Sequence, residues 1–390
     1  MATQLPFEPA GLLQAPPGLR ALQADGDVHE VRTVTGDDAY LVTGYDTVRR
    51  LLDDDRFGRS HPDPEHAART GESVLFGGPL GNFETERADH ARMRALLRPH
   101  FTPARMRAFR PRLEALTAEL LDDLAGASRP ADLHAGLALP LPILVICELL
   151  GVPYEDREEF RGWTTAAGDT VDRRRSEQGL GSLFEYGLRL VSRKRAEPGD
   201  DVISRLCAVD GLGDDEIAML SMSLLFAGHE TTVVQLGYGA LLLLTHAESW
   251  RALRDDPGLI RGAVEEVLRA SGTGGNGIPR YTRVDVDIDG TTVRAGDLVL
   301  FDTGAANHDA RAFAEPDRFE VRRDAAGQHL TFGHGARYCL GAPLARVELE
   351  VALGRLVQRF PAMRLAVPVE ELTVRRGVLT GGLTALPVTW

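Results

Sequence analysis

Along the middle of this 390-residue chain, apolar side chains recur every three or four positions, the spacing of helices that bury one face. That period predicts helices over 106–124, 182–195, 214–244 and 260–270. Short β-branched and aromatic pieces at Tyr40-Leu41-Val42, across 284–300 and near the C-terminus predict strands, the second interrupted by the turn pairs Asp289-Gly290 and Ala295-Gly296. Between about 59 and 82, Pro, Gly and Asn punctuate too densely for either period, and the segment reads as a long loop. No internal repeat or low-complexity tract interrupts the pattern. The expected class is mainly α with small β-sheets (α+β).

Composition narrows the field. Hydrophobic residues at 43% and charged residues at 26% are ordinary for a globular protein. A net charge of −13 argues against nucleic acid as a partner, because phosphate binding needs clustered Lys and Arg. The chain has 3 cysteines: Cys147, Cys207 and Cys339. That number builds no disulfide framework and suits a reducing compartment. Cys147 sits in the apolar run Pro142–Ile146 and reads as a small buried hydrophobe. Residues 1–17 carry no signal-peptide pattern and no long apolar run predicts a membrane span, so a cytoplasmic protein is expected.

Three constellations carry candidate chemistry. In Phe332-Gly333-His334-Gly335-Ala336-Arg337-Tyr338-Cys339-Leu340-Gly341, a cysteine sits in a glycine-rich turn just before a helix-like run. Glycines let backbone approach a flat group closely, and a thiolate ahead of a helix N-terminus gains from the dipole and can ligate a metal. The segment Leu224–Thr232 places Gly228, His229, Glu230, Thr231 and Thr232 inside an apolar helix, where a kink or a polar helix–helix contact is the plain reading. Glu266 and Arg269 are spaced three apart on one helix face, flanked by Val264, Val267 and Leu268.

Together these motifs resemble the cytochrome P450 family over nearly the whole chain, from about Tyr40 to Trp390, and imply its single-domain fold over 1–390. The resemblance implies haem b with Cys339 as the iron ligand, in a loop that includes Phe332, Gly333 and Gly341. It implies that Ala227 and Gly228 open a groove beside the haem, and that Glu230 and Thr231 form the acid–alcohol pair delivering protons to dioxygen, with Thr232 the weaker alternative. Glu266 and Arg269 would anchor the approach to the Cys loop. His90, Arg94, Arg280 and Arg337 stand where the family binds the haem propionates. Ala306-Asn307-His308-Asp309, with Phe313, Pro316, Asp317 and Phe319, resembles the stretch before the Cys loop.

The chain looks most like actinomycete enzymes of antibiotic and other secondary metabolism, particularly macrolide and polyketide hydroxylases and epoxidases. Asn82, Phe226, Asn276, Tyr281 and Leu379 are the expected substrate contacts. Electrons would come from NAD(P)H through ferredoxin reductase and ferredoxin, and a monomer is expected. Arg92, Arg98, Arg105, Arg107 and Arg110 form a candidate docking surface for an acidic ferredoxin. Two rival functions remain: oxidative C–C or C–N coupling of a cyclodipeptide or aromatic substrate, which needs every motif, and a non-catalytic haem-binding sensor. The sensor has no need of Glu230 and Thr231, so their presence favours the enzyme. A hydrolase using Cys339 as nucleophile lacks a plausible Cys–His arrangement.

Overall fold

The computed structural model describes residues 3–8, 10–272, 274–275 and 277–390. Eleven strands occur among them: β1 (Thr3–Gln4), β2 (Val28–Arg32), β3 (Asp38–Val42), β4 (Phe57–Gly58), β5 (Ala131–Asp132), β6 (Ile278–Thr282), β7 (Val286–Ile288), β8 (Thr291–Val293), β9 (Leu298–Phe301), β10 (Arg364–Leu365) and β11 (Pro387–Thr389). The early helices are α1 (Pro17–Asp25), α2 (Tyr45–Leu52), α3 (Glu86–Leu97), α4 (Pro103–Gly126), α5 (Pro140–Leu150), α6 (Arg157–Ala167) and α7 (Arg173–Ala196). Then come α8 (Val202–Cys207), α9 (Asp214–Thr245), α10 (Ala247–Asp255), α11 (Ile260–Ala270), α12 (Thr303–Asn307) and α13 (Ala342–Arg359). About 53% of the residues are helical, so the mainly α reading with small sheets holds.

The chain groups into two compact units, 1–91 with 245–339 and 92–244 with 340–390. The first unit holds a six-stranded sheet of order β1-β2-β3-β9-β6-β4 and a separate β7–β8 ribbon. Its core packs Val42, Val48 and Phe57 with Val299, Phe301 and Phe313, and the Phe57 and Phe301 rings meet edge to face at 5.3 Å. The β7–β8 turn falls at Asp289-Gly290, both in the left-handed region (φ 52° and 89°), as a tight hairpin turn requires. The expected strand across 284–300 is therefore three short strands. The stretch 59–82 carries no helix or strand.

The second unit is helical, with a small β10-β11-β5 sheet. Length and composition alone would let α9 cross a bilayer, contrary to the reading that no run qualifies. However, 67% of its most apolar window is buried within the protein, as befits a core helix that is apolar all round. Three acidic residues in its first turn, Asp214, Asp215 and Glu216, oppose the positive dipole end. The helix expected over 182–195 begins earlier, at Arg173, where the Asp172 side chain accepts from the Arg175 amide. Its first turns lack apolar periodicity because Gly179 lies against α6: a Cβ there would fall 2.4 Å from the Ala167 nitrogen. Cys147 is buried on α5, and burial pushes its thiol up to about 12, which fits the plain hydrophobic reading.

Candidate active site

The cysteine loop is shaped by two left-handed glycines. Gly333 (φ 72°) and Gly335 (φ 67°) turn the chain, and the Cys339 amide donates to the Phe332 carbonyl at 2.8 Å, closing the loop. Gly335 has a second reason to lack a side chain, since a Cβ would sit 1.9 Å from Asp53 Oδ1. Phe332 packs between the His329 and Tyr338 rings (centroids 5.6 and 6.2 Å). Cys339 itself is exposed, and Gly341 stands at the N-cap of α13, so the sulfur-bearing residue lies just ahead of that helix's positive end.

Arg337 and Arg280 both face inward in the first unit. Arg337 pairs with Glu86 through Nη2, and Glu86 also accepts from Ser60 and from Arg283. Burial alone would raise the Glu86 carboxyl; hydrogen bonds from Ser60 and the Arg59 and Ser60 amides, with Arg337 beside it, hold it below the usual range. Arg280 is 8% exposed, and among the described residues its guanidinium donates only to the Pro279 carbonyl, at 2.8 Å. Burial, with Arg59 and Arg337 nearby, lowers it to about 9. Sequence reading missed Arg59, whose Nε is buried with no partner among the described residues. His90 and Arg94 lie one turn apart on α3, and both are half-buried.

On α9 the two halves of the expected acid–alcohol pair leave the helix differently. Thr231 is exposed, and its hydroxyl donates back to the Ala227 carbonyl at 3.0 Å; Ala227 lies on the same exposed face. Glu230 is 5% exposed, and Oε2 accepts from Thr380 at 3.0 Å and from Arg375 at 3.2 Å. Burial works against its charge, yet His229, Arg375 and Thr380 bring Glu230 down to about 2. His229 is fully buried, with Nδ1 donating to the Leu225 carbonyl at 2.6 Å and its ring edge-on to Phe160 of α6. Thr232 is buried, which favours Thr231 for any hydroxyl chemistry. Gly228 faces α5, where a Cβ would be 2.6 Å from Ile146 Cδ1; it serves that close helix approach, while Ala227 forms the open side.

Glu266 and Arg269 are fully buried and doubly bonded at 2.7 and 2.8 Å. Arg269 Nη1 also donates to the Asn307 and Pro316 carbonyls, and Glu266 accepts from Arg323 and the Glu320 amide. The pair thus pins the segment 307–323 that leads toward the cysteine loop; Arg323, its third member, carried no sequence signal.

Among the expected substrate contacts, the Asn82 side-chain oxygen accepts from the Glu84 and Thr85 amides ahead of α3, a local turn that occupies it. The Tyr281 hydroxyl is spent on the Ala68 carbonyl at 2.6 Å, and the ring is 1% exposed. Phe226 is buried, with the Gly168 backbone near its ring. Leu379 is 36% exposed, and its amide bonds the Gly168 carbonyl. Asn276 lies outside the described residues.

Residues 193–367 match the family model described as Cytochrome P450. The chain is 42% identical to pentalenolactone synthase of Streptomyces exfoliatus over 394 residues, covering 99% of each chain. It is 42% identical to mycinamicin IV hydroxylase/epoxidase of Micromonospora griseorubida, covering 95% of this chain and 94% of that one. Among solved structures, that of the substrate-free cytochrome P450 PimD, a polyene macrolide antibiotic pimaricin epoxidase, matches with a TM-score of 0.90 and 40% identity, covering 100% of this chain and 99% of that chain.

Proposed function

Because the chain belongs to the cytochrome P450 family, whose cofactor is haem with a thiolate-ligated iron, we propose that it hydroxylates or epoxidises a macrolide or other polyketide. It is a monooxygenase acting on a small secondary-metabolite substrate, with electrons from a redox partner. In this reading Cys339 would ligate the iron, a ferredoxin would be the electron donor, and the protein would be a monomeric, cytoplasmic, single domain over 1–390.

The residues present fit haem. Among the described residues Arg280 is a buried cation with no carboxylate bonded to it, and a buried charge needs a counter-charge, which a propionate would supply. Arg337 and Arg280, with His90 and Arg94, are the residues that would hold the two propionates. Bound haem supplies an iron centre at which dioxygen is reduced and split, favoured by thiolate ligation. The chain's own part is proton management. Thr231 presents a hydroxyl on the exposed face of α9, ready to exchange its bond to the Ala227 carbonyl for one to a ligand or water. Glu230, kept ionised by Arg375 and Thr380, can take up a proton at Oε2 when either partner lets go and pass it on. Tyr281, whose hydroxyl is already bonded to the Ala68 carbonyl, has none to offer a substrate.

The observation that carries this reading is the cysteine loop: two left-handed glycines, an amide from Cys339 onto Phe332, and a helix N-terminus directly after it. The test is spectroscopic. Reduced protein under carbon monoxide is expected to give a thiolate-type band that Cys339→Ala abolishes, and in a panel of macrolides, smaller polyketides and cyclodipeptides a macrolide or other polyketide is expected to shift the spin state. A haem-loaded wild type without that band sinks the proposal. A shift only with cyclodipeptides would point to coupling chemistry instead.

A further inference from the structure

Strand β4 pairs antiparallel with β6 in the register Phe57↔Thr282 and Gly58↔Tyr281. Arg59 follows directly after β4, beside the neighbour of Arg280 in that register, and its charge acts on Arg280. Like charges held this near repel, and burial sharpens the repulsion. The surroundings do not neutralise it. Arg59 Nη2 donates to the Leu75 carbonyl at 3.2 Å, its guanidinium lies 5.0 Å from the Phe76 ring centre, and its Nε has no partner among the described residues. Glu86, the nearby carboxylate, takes the Arg59 amide but gives its charge to Arg337 and Arg283. Glu86 thus serves Arg283 and Arg337, while among the described residues no carboxylate is bonded to Arg59 or Arg280. Burial first, and Arg337 next, lower Arg59 to about 10, the direction expected of a cation short of anions.

We infer that Arg59 is a further haem-binding residue, holding a propionate jointly with Arg280. This rests on the haem reading above but adds a residue that none of the sequence motifs contains. The Phe76 ring and the Leu75 carbonyl fix the guanidinium plane, leaving Nε and Nη1 for a carboxylate. A propionate would give Arg59 and Arg280 the carboxylate partner that Glu86 already gives Arg283 and Arg337.

The test uses purified holoprotein carrying Arg59→Gln or Arg59→Lys, with thermal unfolding as a check on folding. Haem transfer to excess apomyoglobin is followed in the Soret band, and the reduction potential is read by dye-mediated titration. Arg59→Gln is expected to speed haem loss on the order of ten- to a hundredfold, the loss of one charge-assisted hydrogen bond. It should also move the potential to a more negative value, because removing a nearby cation favours the ferric state. Lysine, which keeps the charge, should restore most of the potential and part of the retention. Unchanged transfer and potential in Arg59→Gln overturn the inference. So does faster transfer with an unmoved potential and no rescue by lysine, which marks a structural role. Unchanged transfer with lost affinity for acidic ligands would assign the pair to a substrate carboxylate, and equally overturn it. The carbon monoxide band of the wild type separates these failures from failure of the haem reading itself.

Discussion

Two adjacent threonines on α9 differ in what they can do, and the difference is orientation. Thr231 is exposed and borrows the Ala227 carbonyl one turn back, while Thr232 is buried. Thr231→Ala is therefore expected to lower product formed per NAD(P)H by roughly a hundredfold, with the electrons leaving as peroxide. The near-isosteric Thr232→Val should stay coupled. Equal peroxide release from both would remove Thr231 from its role. A second residue makes a pH prediction. Glu348 on α13 is fully buried, both its carboxyl oxygens lack partners among the described residues, and burial raises it well above the ordinary carboxylate value. The folded state thus holds a proton that the unfolded chain releases near 4.5, so stability is greatest below that pH and falls as pH rises toward the folded value. The slope is at most about 1.4 kcal/mol per pH unit. Glu348→Gln should remove it, and denaturant unfolding at pH 5 and pH 8 should show the variant gaining on the wild type at the higher pH. Parallel pH dependence in the two proteins would contradict this.

At the scale of elements, the buried Glu266–Arg269 pair joins α11 to the segment 307–323 through the Asn307, Pro316 and Arg318 carbonyls, the Glu320 amide and Arg323. Arg269→Met leaves Glu266 with Arg323 and the Glu320 amide but without its buried partner, and breaking a buried pair costs about 3–5 kcal/mol. The expected result is protein that unfolds at a lower denaturant midpoint and loses haem; a midpoint within error of wild type would show the pair to be dispensable. Elements differ in how far they could be read from sequence. The helix over 260–270 and the Asp289-Gly290 turn were legible because each rests on local rules, apolar spacing in one case and left-handed backbone in the other. The first turns of α7 were not, since Gly179 serves packing on α6 and breaks the period. The site divides in the same way. Cys339, Arg337 and Thr231 announce themselves inside motifs. Arg59 meets Arg280 only through the pairing of β4 with β6, and Glu230 meets Arg375 only because the chain returns 145 residues later. Contacts of that separation leave no mark in a linear pattern.

Charge is the property that acts on the whole molecule. The chain is acidic, with 57 Asp and Glu against 44 Lys and Arg, so an acidic electron donor meets a repulsive average field and needs a local exception. The arginines that follow His90 are unequal candidates. Arg92 is paired with Glu216 at 2.7 Å, and Arg110 with Glu350 at 2.8 Å and Glu114 at 3.1 Å. Arg98, Arg105 and Arg107 are exposed, and they are the three through which steering would act. Reversing all three to Glu is expected to cut turnover supported by an acidic ferredoxin at least roughly tenfold at low ionic strength, through slower association. The deficit should shrink as salt rises, because the screening length falls from about 30 Å at 0.01 M to about 8 Å at 0.15 M. Turnover driven by added peroxide bypasses the donor and should be unchanged. A deficit that persists at high salt, or that also appears with peroxide, would mean these arginines support the fold and the donor docks elsewhere.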